Sequence, residues 1–308
     1  MTLLHMKYAV EIAETNSINK AAERLYVGQS ALSRAIKELE TSLGTTLFER
    51  SAKGMVLTQD GEVFIRYAKR VLEQVDELEN TFGGGRQHKM KFSISVPRAS
   101  YIAEAFAQFS GKLPRDGAAE VFYKETNSMR AIRNILQEDY RLGIIRYAQN
   151  YDGYYRVMME EKGLEYRMIT EFRYSLLLNE KSPLAQKEKI SREDLQDCME
   201  IAYADPYVPF LPFVEVKKEE LPDNSGRRIF IFERASQLEL LARNTDAYMW
   251  VSPIPEELLR RYGLIQVSCD VNRRIYKDVL IYRKNYVFSE LDQIFLEELE
   301  KAKQTMFH

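Results

Sequence analysis

At 308 residues, with 45% hydrophobic and 29% charged side chains, the chain has material for two or three globular domains with real cores. A net charge of −2 excludes a global basic field, so any affinity for nucleic acid must come from charge placed locally. Two isolated cysteines, Cys198 and Cys269, exclude a disulfide framework, no apolar run approaches the roughly 18 residues of a membrane helix, and Glu11 and Glu14 interrupt any secretory h-region, so a cytoplasmic protein without membrane contact is expected.

Leu3, Met6, Val10 and Ala13 stand at helical spacing and predict a first helix ending at Asn16, a residue that tolerates the left-handed stop. Asn19 is the expected cap of a short second helix with Ala21, Ala22 and Leu25 inward. Tyr26 and Val27 make the turn, and Gly28 opens a third helix whose stripe is Leu32, Ile36, Leu39 and Leu43. The free face of that helix carries Gln29, Ser30, Ser33, Arg34 and Lys37. As a recognition helix it would bring Gln29 and Ser33 to base edges, with Arg34 and Lys37 farther along on phosphates. Two short strands, Thr45–Arg50 and Met55–Thr58, then form a hairpin with Arg50 and Lys53 at its tip. A polar helix face alone is an ordinary solvated surface; helix, turn, helix and basic hairpin in this order specify a winged helix-turn-helix. Six Lys or Arg stand against four Asp or Glu between Asn16 and Thr58, a balance of only +2, so specific binding should need pairing of two heads.

The run AAERLYVGQSALSRAIKELETSLGTTLFER, continued by LTQDG, resembles the N-terminal domain of LysR-type transcriptional regulators. Gly28 and Ser30 stand where that family has a hydroxyl residue and proline, and Asn16 where glycine is common. The resemblance implies a DNA-binding regulator, dimeric or tetrameric, with operator DNA, a small-molecule effector and, if it activates, RNA polymerase as partners; no cofactor, metal or catalytic role is implied. Thr58 can cap the next helix, where Phe64, Ala68, Val71, Val75, Leu78 and Phe82 alternate by four and three in a coiled-coil seam. About 34 Å of helix results, and the resemblance makes it the dimer helix. Gly83–Gly85 ends it in a hinge. The expected domains are 1–58, the linker helix 59–82, the hinge 83–90 and an effector domain 91–308.

Beyond the hinge, strands and helices alternate: strands at Lys91–Val96, Ala119–Tyr123, Leu142–Arg146, Arg173–Asn179, Glu200–Tyr203, Arg228–Phe232, Tyr248–Ser252 and Arg274–Arg283. Helices are expected at Ser100–Phe109, Ser128–Gln137, Arg192 onward, Ser236–Arg243, Glu256–Arg261 and from Ser289. The pattern argues for an α/β fold with parallel sheets and ligands at strand C-termini. It is similar to the family's two-subdomain α/β effector domain, which resembles periplasmic binding proteins, with subdomain I at about 91–164 and 269–308 and subdomain II at about 165–268. By that resemblance an effector pocket is lined by Pro97, Arg98, Ala99, Ser100, Tyr101, Thr126, Asn127 and Ser128, and across the cleft by Asp205, Pro206, Ser236, Trp250 and Ser252. Trp250, in the run YMWVSP, replaces a small residue and is expected to narrow the cleft. Ser100 and Ser128 open helices whose free N–H groups favour an anion, and Arg98 could pair with it, which points to a small carboxylate. A DNA binder whose pocket is filled by its own side chains is the alternative; a solute-binding module is opposed by the reader head. Tyr151, Tyr154 and Tyr155 cluster near a domain edge as a candidate partner surface. Cys198 and Cys269 are expected to be structural thiols, and His5, His88 and His308 form no metal-ligand spacing.

Overall fold

The change of periodicity at the glycine run is a division of the molecule: the computed structural model, which describes residues 1–51, 54–82, 90–115, 118–206, 209 and 226–307, separates Met1–His88 from Lys89–His308. In the first unit, α1 (Leu3–Thr15) stops at Asn16 in the left-handed conformation (φ 51°). Helix α2 (Ile18–Arg24) is capped by Ser17, whose hydroxyl accepts from the N–H of Lys20; the expected cap Asn19 lies inside the helix. Helix α3 (Gln29–Leu43) ends at left-handed Gly44. Strands β1 (Phe48–Ser51) and β2 (Gly54–Leu57) form the antiparallel wing, and α4 (Gln59–Phe82) follows.

Packing shifts two of the expected stripes. Helix α1 is covered by α2, α3 and α4 together, so Ala9 and Ile12 are its fully buried residues, Val10 and Ala13 are half-buried, and Leu3 is exposed. On α3, Leu32, Ile36 and Leu39 are buried, whereas Leu43 in the last turn is exposed. Two close approaches fix the wing. The N–H of Met55 donates to the Asn16 carbonyl at 2.9 Å, and a Cβ on Gly54 would lie 2.5 Å from that same oxygen. Gly61 in α4 lies against the Leu47 carbonyl, which a Cβ would meet at 2.0 Å. Thr58 caps α4 by accepting from the N–H of Gly61.

The second unit holds two five-stranded sheets. The first takes β3 (Met90–Val96), β4 (Ala119–Glu125), β5 (Leu142–Ala148), β6 (Leu164–Arg173) and the returning β12 (Ile275–Arg283) in the order β4-β3-β5-β12-β6. One face is covered by α5 (Ser100–Ser110) and the C-terminal α11 (Glu290–Phe307), around Phe92, Phe109 and Phe295; the other by α6 (Ser128–Gln137) and α7 (Asp152–Glu161). The second sheet, ordered β11-β7-β10-β8-β9, contains β7 (Ser175–Asn179), β8 (Met199–Tyr203), β9 (Arg227–Ile231), β10 (Ala247–Val251) and β11 (Leu264–Val267). It carries α8 (Arg192–Gln196, with a Ser191–Asp194 capping box), α9 (Arg234–Arg243) and α10 (Glu256–Tyr262).

Both sheets are mixed rather than parallel. β4, β3 and β5 run parallel, but β12 is antiparallel to both of its neighbours; β10, β8 and β9 run parallel, but β7 is antiparallel to β10 and β11. The expected passage between subdomains at residue 164 moves to Tyr174, because all of β6 pairs with β12 in the first sheet. Helix α7 and strands β6 and β11 were not read from the sequence. The tyrosine cluster belongs to the core: Tyr155 is fully buried on α7 and stacks on Tyr147 at 4.3 Å. Among the described residues, no helix is long and apolar enough to cross a membrane, and no group of three His, Cys, Asp or Glu residues could hold a metal.

Candidate nucleic-acid interface and ligand cleft

Burial of Leu32, Ile36 and Leu39 fixes the roll of α3 and therefore what its other side presents. Gln29, Ser30, Arg34 and Lys37 are exposed and Ser33 is half-buried; among the described residues none of these side chains is hydrogen-bonded within the chain. Gly28 caps the helix with extended backbone (φ −68°, ψ 136°) and supplies no side-chain acceptor; its carbonyl takes the N–H groups of Ala31 and Leu32, so among the described residues those of Gln29 and Ser30 are open to an anion. Arg50 is exposed on β1; Lys53 lies outside the described residues. One residue that positions this surface was not read from the sequence. The Glu40 carboxylate accepts from the N–H groups of Leu47 (2.7 Å) and Phe48 (3.1 Å), tying the end of α3 to the root of the wing. Only the fold brings a helix carboxylate to two N–H groups seven and eight residues on.

The expected seam on α4 divides. Ala68 is buried and Phe64 packs on the head's own core beside Ile65, while Val71 and Leu78 are exposed and Val75 is half-buried. The side chain of Phe82 and the hinge at 83–89 lie outside the described residues.

Between the two sheets of the second unit lies a cavity of about 160 Å³. Of the expected residues it is lined by Pro97, Arg98, Ser100, Thr126, Asn127, Ser128, Asp205, Pro206, Trp250 and Ser252. Three others stand off. Ala99 is the N-cap of α5 without a side-chain hydrogen bond; Tyr101 is buried behind the wall, its hydroxyl donating to Asp278 at 2.6 Å; Ser236 is exposed, and its neighbour Gln237 faces the cavity instead. Ser128 differs from expectation in its chemistry. Asn127 is the true N-cap of α6, accepting from the N–H of Arg130, while the Ser128 hydroxyl donates to the Arg146 carbonyl (2.6 Å) and accepts from the Arg146 N–H (3.0 Å).

The charges of the cleft are internally matched. Arg98 donates to both Asp205 oxygens, at 2.8 and 3.4 Å, with its guanidinium 4.8 Å from the Tyr203 ring centre. Arg146, which the sequence reading missed, closes on Asp278 through Nε (2.7 Å) and Nη2 (2.6 Å), reaches Ser252 through Nη1 (3.2 Å), and lies over the Phe172 ring. Burial alone would lower the Arg146 value, but Asp278 more than reverses it, so the guanidinium stays charged. Burial and the same carboxylate push the Tyr101 phenol well up, keeping it a donor. Glu200 is held by Arg228 at 2.7 Å, although burial still pushes its carboxyl up. Arg234 pairs with Glu125 across the two subdomains at 2.7 Å. Cys198 and Cys269 share one apolar cluster behind the second sheet, where burial pushes both thiols above their ordinary range.

Comparison with known proteins adds the following. The family described as bacterial regulatory helix-turn-helix protein, lysR family, matches residues 3–62. The HTH-type transcriptional regulator AlsR of Bacillus subtilis is 25% identical over 274 residues, which is 86% of this chain and 83% of that one. Full-length LysG of Corynebacterium glutamicum, solved with a bound effector arginine, superposes with a TM-score of 0.60 at 15% identity over 99% of each chain. Full-length CbnR, solved with its target DNA, gives 0.56 at 19% identity over 98% of this chain and 100% of that one. At these identities the two structures speak for the fold.

Proposed function

We propose that this chain is a DNA-binding transcriptional regulator of the LysR type, the family that matches residues 3–62, and that α3 enters the major groove of an operator with Gln29 and Ser33 at base edges. Ser30 lies beside them, and Arg34, Lys37, Arg50 and Lys53 hold phosphates. The observation that carries this reading is the exposed face of α3, unengaged by the other described residues, on a winged helix-turn-helix. The stretch of α4 with exposed Val71 and Leu78 and half-buried Val75 pairs two heads, which compensates for the thin positive charge of each. Activation would bring RNA polymerase in as a further partner, and the cytoplasm is the compartment that holds such DNA.

The cavity between the subdomains takes a small anionic effector, which acts by binding one subdomain arrangement better than another. CbnR with its target DNA and LysG with its bound effector support the two halves of the proposal. A second reading has its own observation: Arg98 and Arg146 are already met by carboxylates of this chain, as in a pocket that needs no effector.

Gel shifts on the DNA flanking the gene test the head. Gln29→Ala and Ser33→Ala should each weaken operator binding by about 1–3 kcal/mol with unchanged stability. Val71→Asp with Val75→Asp should sediment as monomer and lose specific binding. Full operator affinity in all three variants would refute both the helix and the seam assignments.

A further inference from the structure

We propose that Asp205 is the resident occupant of a carboxylate subsite in the cleft, and that a carboxylate effector acts by exchanging with it. The proposal rests on reading the cleft as an effector site. Asp205 follows β8 in the second subdomain, yet its partners are in the first: Arg98 grips both its oxygens, Arg130 lies 3.7 Å away, and the Asn127 amide donates to its carbonyl at 3.1 Å. The pair is no surface contact, the side chains of Arg98 and Asp205 being 11% and 13% exposed. The following Pro206 restricts Asp205 to extended backbone, so the carboxylate is presented with little conformational freedom.

The subsite has the chemistry an exogenous carboxylate needs. A guanidinium offers two parallel donors, and Asn127 and Arg130 place it beside the N-terminus of α6, where the helix dipole favours negative charge. Arg146, the other arginine lining the cavity among the described residues, is committed elsewhere, as is Arg234 outside it, whereas Arg130 stands with Arg98 on Asp205. Arg146 is locked on fully buried Asp278, and Arg234 on Glu125. An incoming carboxylate therefore has Arg98 as its partner and must take it from Asp205.

Exchange replaces one bidentate pair by another of the same kind, so the carboxylate itself gains little. Selectivity falls to the remainder of the ligand against the aromatic walls, Tyr174, Tyr203, Trp250 and Tyr276. Because Asp205 and Arg98 belong to different subdomains, exchange also removes a tie across the cleft, which couples occupancy to subdomain arrangement. The apparent affinity of the native protein is reduced by the fraction in which Asp205 holds the subsite.

Calorimetry on the full chain with benzoate and acetate, and with sulfate as a non-carboxylate anion, tests this, alongside hydrogen exchange over residues 98–101 and 126–131. Asp205→Ala and the isosteric Asp205→Asn should bind benzoate about tenfold more tightly than the parent. Exchange over both segments should quicken without ligand, and adding Arg98→Gln should abolish the gain. Binding by the parent with no tightening in either variant would overturn the exchange and leave the effector site standing. Tightening that survives Arg98→Gln would also overturn it, by placing the subsite elsewhere. If neither parent nor variants bind either carboxylate, the exchange and the carboxylate effector fail together.

Discussion

The reading face of α3 and the cleft of the second unit are built from similar polar groups, arginine, serine and amide, in opposite states. On α3, Gln29, Ser30, Arg34 and Lys37 project into solvent without partners among the described residues. In the cleft, Arg98, Arg146 and Ser128 are each closed on another group of the protein. The difference follows from burial. An exposed donor is satisfied by water and waits at no cost, whereas a buried one left unpaired costs about 1–3 kcal/mol, more when charged. The head can therefore dock without rearranging its own bonds, and the cleft can accept a charged ligand only by giving one up.

The sharpest way to break that contrast is to remove a partner from each side. Asp278 is fully buried and accepts from Arg146 twice and from Tyr101 once. Asp278→Ala would strand a buried guanidinium, and the expected loss is about 3–5 kcal/mol, read as a lower urea midpoint at unchanged slope. Arg34→Ala on the reading face should stay within about 0.5 kcal/mol of the parent in the same measurement. If the Asp278 variant were equally mild, the internal pairing of the cleft would not be a requirement of burial, and the contrast would fall.

That same pairing marks where the sequence stopped being legible. The head could be read because its determinants are local: the stripe of Leu32, Ile36 and Leu39, the stop at Asn16 and the turn at Gly44 all lie within a helix or its ends. Errors there were shifts of a residue or two, such as Ser17 for Asn19. In the cleft, Arg98 and Asp205 are 107 residues apart and Arg146 and Asp278 are 132 apart, and no periodicity links them. Resemblance brought ten of the expected residues to the cavity but could not show that Arg98 was occupied or that the Ser128 hydroxyl was bound to β5. Strand β6 escaped notice for a related reason. Its polar outer positions suit a sheet edge, and only its pairing with β12 defines it as a strand.

A smaller effect tests whether the head's open state is as free of cost as its solvent-exposed side chains suggest. Among the described residues four non-glycine residues have positive φ; Asn16, Asp139 and Asn285 are of the types that tolerate it, and the fourth is Tyr26, at 54° in the turn before α3 and 95% exposed. A left-handed tyrosine costs about 1–2 kcal/mol, and its ring recovers no burial there. Glycine would relieve that strain while losing about 0.5–1 kcal/mol in unfolded-chain entropy, so Tyr26→Gly should stabilise the head by roughly 0.5–1 kcal/mol, measurable as a higher thermal midpoint. Operator affinity measured on the same variant then divides the outcomes. A stabilised head that binds DNA as before carries Tyr26 as local strain alone. A stabilised head that binds more weakly places the ring on the reading face, and the open surface of the head then carries strain of its own, as the cleft carries its internal pairs.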